Sequence, residues 1–224
     1  MRISRKKLAL ILATLPFYFF LNSSSAQDFQ KWEETILEFE KADQGSPVKK
    51  GKYIVFTGSS SIVGWENLKA DFPDKKVLNR GFGGSQTFEV VHFADRIITP
   101  YKPKQVVIYS GDNDIAAGKS PETVLADFKT LFSKIREDKK NTIVTFIAIK
   151  PSPSRKQFMP KIVEANRLVK EFLETKKRTS YVDIYTPMLL PNGNPKPALF
   201  KSDSLHMVKA GYDLWREILK PHLK

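Results

Sequence analysis

From Lys52 onward, short runs rich in β-branched and aromatic residues alternate with longer stretches of helical periodicity, and this alternation narrows the possible folds more than any other feature. Five runs read as strands: Tyr53–Thr57, Lys76–Asn79, Gln105–Tyr109, Thr142–Ile149 and Tyr181–Ile184. Residues 86–98, 121–138, 160–178 and 209–220 carry apolar side chains at helical spacing. Ser120-Pro121-Glu122 is a strong start signal, a capping serine with Pro at the first helical position, and Pro160 opens the next helix similarly. The run IVTFIAI (143–149) does not alternate apolar with polar, as expected of a parallel strand buried on both faces. Strand–helix alternation with right-handed crossovers predicts a three-layer α/β/α domain around a five-stranded parallel sheet. In such sheets ligands collect beyond the carboxyl ends of the strands.

Ahead of this region, residues 28–43 place Phe29, Trp32, Ile36, Leu37 and Phe39 or Glu40 at helical spacing. Asp28 serves as a cap and Gly45-Ser46-Pro47 as the stop, so this reads as a helix packed on the main domain. The first 26 residues are of another kind. Arg2, Arg5, Lys6 and Lys7 precede an apolar run from Leu8 to Leu21, followed by Asn22-Ser23-Ser24-Ser25-Ala26. That order describes an export signal cleaved after Ala26, leaving a domain of residues 27–224 destined for the periplasm or for secretion. An uncleaved anchor is the alternative. Against it, the run is shorter than the roughly 20 apolar residues that cross a bilayer, and Pro16 interrupts it.

With 224 residues, 41% of them hydrophobic, the chain can build the core of one domain. It has no cysteine, which removes disulfides, thiolate metal sites, a cysteine nucleophile and an N-terminal lipid-modified cysteine together. The formal charge is +13, with four of the positive charges in the first 26 residues. The remaining lysines read as dispersed, many on helix faces, such as Lys134, Lys139, Lys140, Lys170, Lys176 and Lys177. No basic run is interleaved with aromatics, so a solvated basic surface is expected and a nucleic-acid partner is not. Attraction to anionic polymers or lipid head groups stays open.

Four segments carry the chemistry. Gly58-Ser59-Ser60-Ser61 follows the first strand and leads into a helix whose N–H groups favour negative charge; a serine-rich helix cap is the plain alternative. Asn79-Arg80-Gly81-Phe82-Gly83-Gly84-Ser85 follows the second strand, a glycine-rich loop whose backbone can approach a ligand oxygen but whose spacing is not that of a dinucleotide site. Gly111-Asp112-Asn113-Asp114 follows the third, where an Asn amide is a good neutral donor and an Asx-rich turn is the alternative. Asp203-Ser204-Leu205-His206 precedes the last helix. A carboxylate three residues before a histidine can accept from Nδ1–H and leave Nε2 free as a base. The chain has three histidines; His92 falls in a helix and His222 in the C-terminal tail, so His206 alone combines a loop with a neighbouring carboxylate.

The order GSSS, GFGG, GDND, DSLH resembles the SGNH hydrolase superfamily, also called GDSL-type esterases, over about residues 53–215. The resemblance implies flavodoxin-like topology and acyl transfer without any metal or organic cofactor. It implies Ser60 as nucleophile, Asp203 and His206 as its partners, and an oxyanion hole made by the N–H groups of Ser60 and Gly84 and the Asn113 amide. One departure stands out: the family's first-block Asp and Leu are Ser59 and Ser61 here, so three consecutive serines compete. The interval from Gly58 favours Ser60, leaving Ser59 to cap the following helix. Asp112 and Asp114 also invite a metal reading, disfavoured because no further ligand cluster is visible. Phe82, Trp65 and Phe88 are candidates for a substrate pocket or for the core.

The expected function is an exported serine esterase acting on a small-molecule or polysaccharide ester, with carbohydrate O-acetyl groups as the leading substrate. A lysophospholipase or lipase-like acylhydrolase is the alternative. A glycan- or lipid-binding module without chemistry is a third reading, disfavoured by the presence of all the triad and oxyanion positions.

Overall fold

The computed structural model describes residues 29–224; the expected export signal, its expected cleavage point and the expected Asp28 cap lie outside them. Five parallel strands, β1 (Ile54–Gly58), β2 (Val77–Gly81), β3 (Gln105–Tyr109), β4 (Ile143–Ile147) and β5 (Thr179–Val182), form one sheet in the order β2-β1-β3-β4-β5. This is the flavodoxin-like order, and its switch point, where the winding reverses, falls between β1 and β3. In register, Gly58 stands opposite both Gly81 and Tyr109. The loops leaving β1, β2 and β3 therefore start at one height, so the segments carrying Ser60, Gly84 and Asn113 meet.

Eight helices flank the sheet among the described residues: α1 (Gln30–Gly45), α2 (Ser60–Val63), α3 (Leu68–Asp71), α4 (Thr87–Ile97), α5 (Asp112–Ala116), α6 (Pro121–Asp138), α7 (Met159–Glu174) and α8 (Lys209–Leu219). The period of two along the strands sorts side chains between two cores. Val55 and Val106 pack with Ile36 of α1, Phe93 of α4, Phe128 of α6 and Val169 of α7. Ile54, Phe56 and Val107 pack with Ile62 of α2, Leu68 of α3 and Trp215 of α8. Ser120 caps α6 as expected, accepting from the Thr123 N–H at 3.2 Å. No helix among the described residues is long and apolar enough to cross a membrane.

Most boundaries shift from the sequence reading by one or two residues, and three differences have a visible cause. β4 stops at Ile147 because the Asn166 side chain takes both the N–H and the carbonyl of Ile149, at 2.8 and 3.0 Å, in place of a neighbouring strand. The expected helix over 160–178 ends at Glu174, since the last apolar residue of its stripe is Leu173 and a run of cations follows. Strand β5 accordingly starts two residues early, at Thr179.

Helix α1 reaches the site end of the domain. Phe29 stacks on His92 with ring centres 3.6 Å apart, and Trp32 meets Phe82 edge-on at 5.4 Å. Arg96 pairs with Glu33 and Glu40, but these groups are about one-third exposed, where such pairs contribute about 0–1 kcal/mol each. The apolar contacts of Ile36, Phe29 and Trp32 hold α1 in place, together with Asp43, which accepts from the buried Arg80 guanidinium and from the Tyr101 hydroxyl. Leu37, expected on the packed face, points outward and is 50% exposed.

Candidate active site

Strand β1 ends on Gly58 at φ +126°, and a Cβ there would lie 1.8 Å from the Tyr109 carbonyl oxygen, so only glycine fits. The chain turns at once, pinned to β3 by the Ser59 N–H donating to that same carbonyl at 3.1 Å. Ser59 and Ser61 point inward and are 3% and 2% exposed. Ser60 is partly exposed, with Oγ 3.1 Å from His206 Nε2. Within the serine triplet the outer two are buried and the middle one meets the histidine. The expected Ser59 cap is not made, and α2 is a single turn rather than a full helix, too short to sum backbone dipoles appreciably.

Asp203 and His206 stand at the tip of a small hairpin closed by the Phe200–Met207 bridge and by the Lys201 N–H donating to the His206 carbonyl at 2.7 Å. Asp203 Oδ1 accepts the N–H groups of Leu205 and His206, each at 2.9 Å, while Oδ2 lies 2.7 Å from His206 Nδ1. One carboxylate therefore shapes the tip and orients the ring. The imidazole, and then the two N–H groups, hold Asp203 well below the usual carboxylate range. Both side chains are open to solvent, at 47% for Asp203 and 40% for His206.

The loop after β2 runs alongside. A Cβ on Gly83 would lie 4.0 Å from Ser60 Cβ, and Gly84 adopts φ +76° with the Trp32 ring 3.4 Å from where its Cβ would be. No protein acceptor engages the N–H groups of Ser60 or Gly84 among the described residues. From the third loop, Asn113 donates one amide hydrogen to the Ser85 carbonyl at 3.0 Å, which leaves its second free. The GDND segment forms a short helix, α5, rather than an Asx turn.

The two carboxylates flanking Asn113 are engaged elsewhere. Asp114 accepts from the Thr87 N–H and from Lys119, and burial pushes it above its ordinary range. Asp112 Oδ2 meets the buried Lys150 ammonium at 2.9 Å, with the Tyr109 hydroxyl 3.3 Å away. Burial works against the Lys150 charge, but Asp112 and Tyr109 outweigh it and keep it protonated; Tyr109 itself is pushed up to about 12 by burial. No group of three or more His, Asp or Glu positioned to hold a metal occurs among the described residues. Phe82 and Trp65 are core residues, each 1% exposed, while Phe88 lies half-buried under the Lys119 ammonium at 4.3 Å.

Two residues at the site escaped the sequence reading. Lys150 and Arg155 leave the end of β4, and Arg155 Nη2 donates to Asn113 Oδ1 at 3.4 Å, with Nε 4.0 Å from Asp112 Oδ1. The same loop is tied to the histidine hairpin by the Ser154 N–H donating to Ser204 O at 3.1 Å. The rule that ligands gather past strand ends applied equally to β4 and could have flagged this segment.

A family model described as the GDSL-like Lipase/Acylhydrolase family matches residues 44–214. Among solved structures, a GDSL-like lipase from Bacteroides thetaiotaomicron aligns with TM-score 0.72 at 21% identity, over 87% of this chain and 96% of its own. A lipase/acylhydrolase from Enterococcus faecalis aligns with TM-score 0.63 at 22% identity, over 77% and 97%. A variant of an acetyl-xylooligosaccharide esterase from Geobacillus Stearmophilus aligns with TM-score 0.62 at 16% identity, over 77% and 94%. At these identities the likeness shows the fold. Comparison with curated proteins found no match.

Proposed function

Because this chain belongs to the GDSL-like lipase/acylhydrolase family, we propose that it is a serine esterase in which Ser60 attacks the ester carbonyl. The observation that carries the reading is the relay from Ser60 Oγ to His206 Nε2 at 3.1 Å and from Nδ1 to Asp203 at 2.7 Å. His206 takes the serine proton as the C–O bond forms and returns it to the leaving alkoxide; water then repeats the cycle on the acyl-enzyme. Asp203 holds the tautomer and faces the imidazolium. The N–H groups of Ser60 and Gly84 and the free amide hydrogen of Asn113 stabilise the tetrahedral oxyanion. Arg155 orients that amide through its oxygen.

We infer a small acyl group on a bulky alcohol, such as an O-acetyl group on a carbohydrate. Two features support this: the glycine loop lies against Ser60, and the solvent-open histidine leaves room for a large leaving group. Rates on p-nitrophenyl esters from acetate to palmitate, and acetate release from acetylated xylan, test it. A preference for acetate supports the proposal, and a preference for long chains replaces it with the lipase-like reading. Failure of Ser60 to react with a fluorophosphonate in folded protein would leave a binding module. Export of residues 27–224 rests on the N-terminal pattern alone; N-terminal sequencing of the processed protein, expected to begin at Gln27, checks it.

A further inference from the structure

The parallel sheet collects every segment that leads into a strand at the pole opposite Ser60, and these segments are unusually basic. Residues 49–53, 74–76, 102–104, 139–142 and 176–178, together with the C-terminal residues 220–224, hold 14 of the 33 Lys and Arg side chains of residues 29–224, but one of the 23 carboxylate side chains, Asp74. The rest of the molecule has 19 cations against 22 carboxylates, so the net positive charge of the domain resides at this pole. Lys139, Lys140, Lys176 and Lys177, expected on helix faces, lie beyond the ends of α6 and α7.

Backbone bonds lace the segments into one face: Ile54 N–H to Lys76 O at 2.8 Å, Ile143 N–H to Lys104 O at 3.0 Å, and Val144 N–H to Arg178 O at 3.1 Å. The C-terminus joins them through the Lys224 N–H donating to Gln105 Oε1 at 2.9 Å. Elsewhere the cations are widely paired with carboxylates. Here none of the 14 has a carboxylate partner among the described residues, and Glu137, Asp138 and Glu174 at the adjoining helix ends pair with none of them. Burial, and then Lys75, Lys52 and Lys76, lower the pKa of Lys104, as expected where like charges crowd. Holding this much unpaired charge on one face costs self-repulsion that a polyanion would relieve.

We propose that this pole docks on an anionic lipid bilayer and leaves the catalytic pole facing away from it. The geometry favours a bilayer over an acidic polysaccharide. The cations spread across the full width of five strands, about 20 Å at the usual strand spacing, as a field rather than a groove. Thirteen of the 14 are lysines, point charges suited to many phosphates rather than to one bidentate partner. The aromatic side chains in these segments, Tyr53 and His222, are both partly buried, so no exposed platform stacks on sugars. A recess of about 220 Å³ on this face is lined by Arg178, Ser180, His222 and Lys224.

The test is co-sedimentation of the full chain with phosphatidylcholine vesicles, with and without about 30 mol% phosphatidylglycerol, at about 50 and 500 mM salt. Binding to the anionic vesicles is expected to exceed binding to the neutral ones by about 10-fold or more at low salt and to vanish at high salt. The neutral vesicles absorb the contribution of the apolar run at residues 8–21, and Arg2, Arg5, Lys6 and Lys7 ahead of it are the same in every variant, so the comparison between variants cancels them. Lys76→Glu/Lys177→Glu is expected to lose the difference while hydrolysing a soluble ester at the parent rate, which also reports its folding. Lys156→Glu/Lys161→Glu, at the opposite pole with the same charge change, is expected to keep it. Equal loss in both pairs would reduce the effect to net charge and overturn the proposal. So would unchanged binding across lipids, or alginate binding that needs Lys76 and Lys177 while vesicles go unbound.

Discussion

Replacing Asn113 with alanine isolates the oxyanion contribution. Its amide has two hydrogens, one held by Ser85 O at 3.0 Å, so a single donor remains for the substrate oxyanion. Loss of one such donor costs about 3–4 kcal/mol of transition-state stabilisation, or about 10²–10³-fold in kcat. Because the charge develops only in the transition state, KM should stay nearly constant. The Ser85 bond adds about 1 kcal/mol of stability, which for a domain of this size lowers Tm by about 2–4 °C. Arg155→Met removes the group that orients the amide through Oδ1, along with its 4.0 Å approach to Asp112, and a drop of about 10-fold is expected, of the order of one modest hydrogen bond. In the Asn113→Ala background the Arg155 change should add little to the rate loss, because the amide it orients is gone and only its approach to Asp112 remains. The assay is initial-rate kinetics on p-nitrophenyl acetate for the two single variants and the double, alongside thermal melts. A kcat loss below 10-fold with Tm preserved, or a parallel rise in KM, would refute the oxyanion role. Full additivity in the double variant would refute the positioning role of Arg155.

The serine register is checked by mutation: Ser60→Ala should fall to background hydrolysis with an unchanged melt, whereas Ser59→Ala, at a buried position without a cap bond, should keep its rate within a few-fold. Asp203→Asn should lower kcat by about 10⁴-fold, since an amide favours the wrong imidazole tautomer. Asp203 is held ionised well below the usual carboxylate range, so the acid limb of log kcat/KM should have a limiting slope of one, with no second protonation from this carboxylate. A slope of two would show that a second group titrates. Lys150→Met leaves the Asp112 carboxylate, 5% exposed and without a hydrogen bond at Oδ1, with only the 4.0 Å approach of Arg155 for charge, which costs about 3–5 kcal/mol and lowers Tm by about 10 °C. Adding Asp112→Leu should restore most of that loss, and a Lys150→Met melt within 2–3 °C of the parent would show that the pair carries no such weight.

Much of this molecule is written in local pattern. The non-alternating strands, the Ser120-Pro121 start of α6 and the order of four short segments are properties of neighbouring residues, and neighbouring residues decide strand, helix and turn. The Asp203–His206 pair is local as well, since three residues of one hairpin tip suffice to join carboxylate to ring. Which serine of 59–61 meets that ring was not local. It depends on the close approach of Gly58 to Tyr109, which sets the direction of each side chain leaving β1, and on a histidine 146 positions away. Arg155 stayed invisible because its partner, Asn113, lies on another loop, brought near only by the level ends of the strands. The end of β4 was misread for the same reason: the Asn166 side chain, arriving from α7, takes the backbone groups that a neighbouring strand would have used. The basic pole is the clearest case. Along the chain its lysines look scattered, in pairs about 25–40 residues apart; a parallel sheet places every segment leading into a strand on the same side, and only that topology turns scattered charge into a surface.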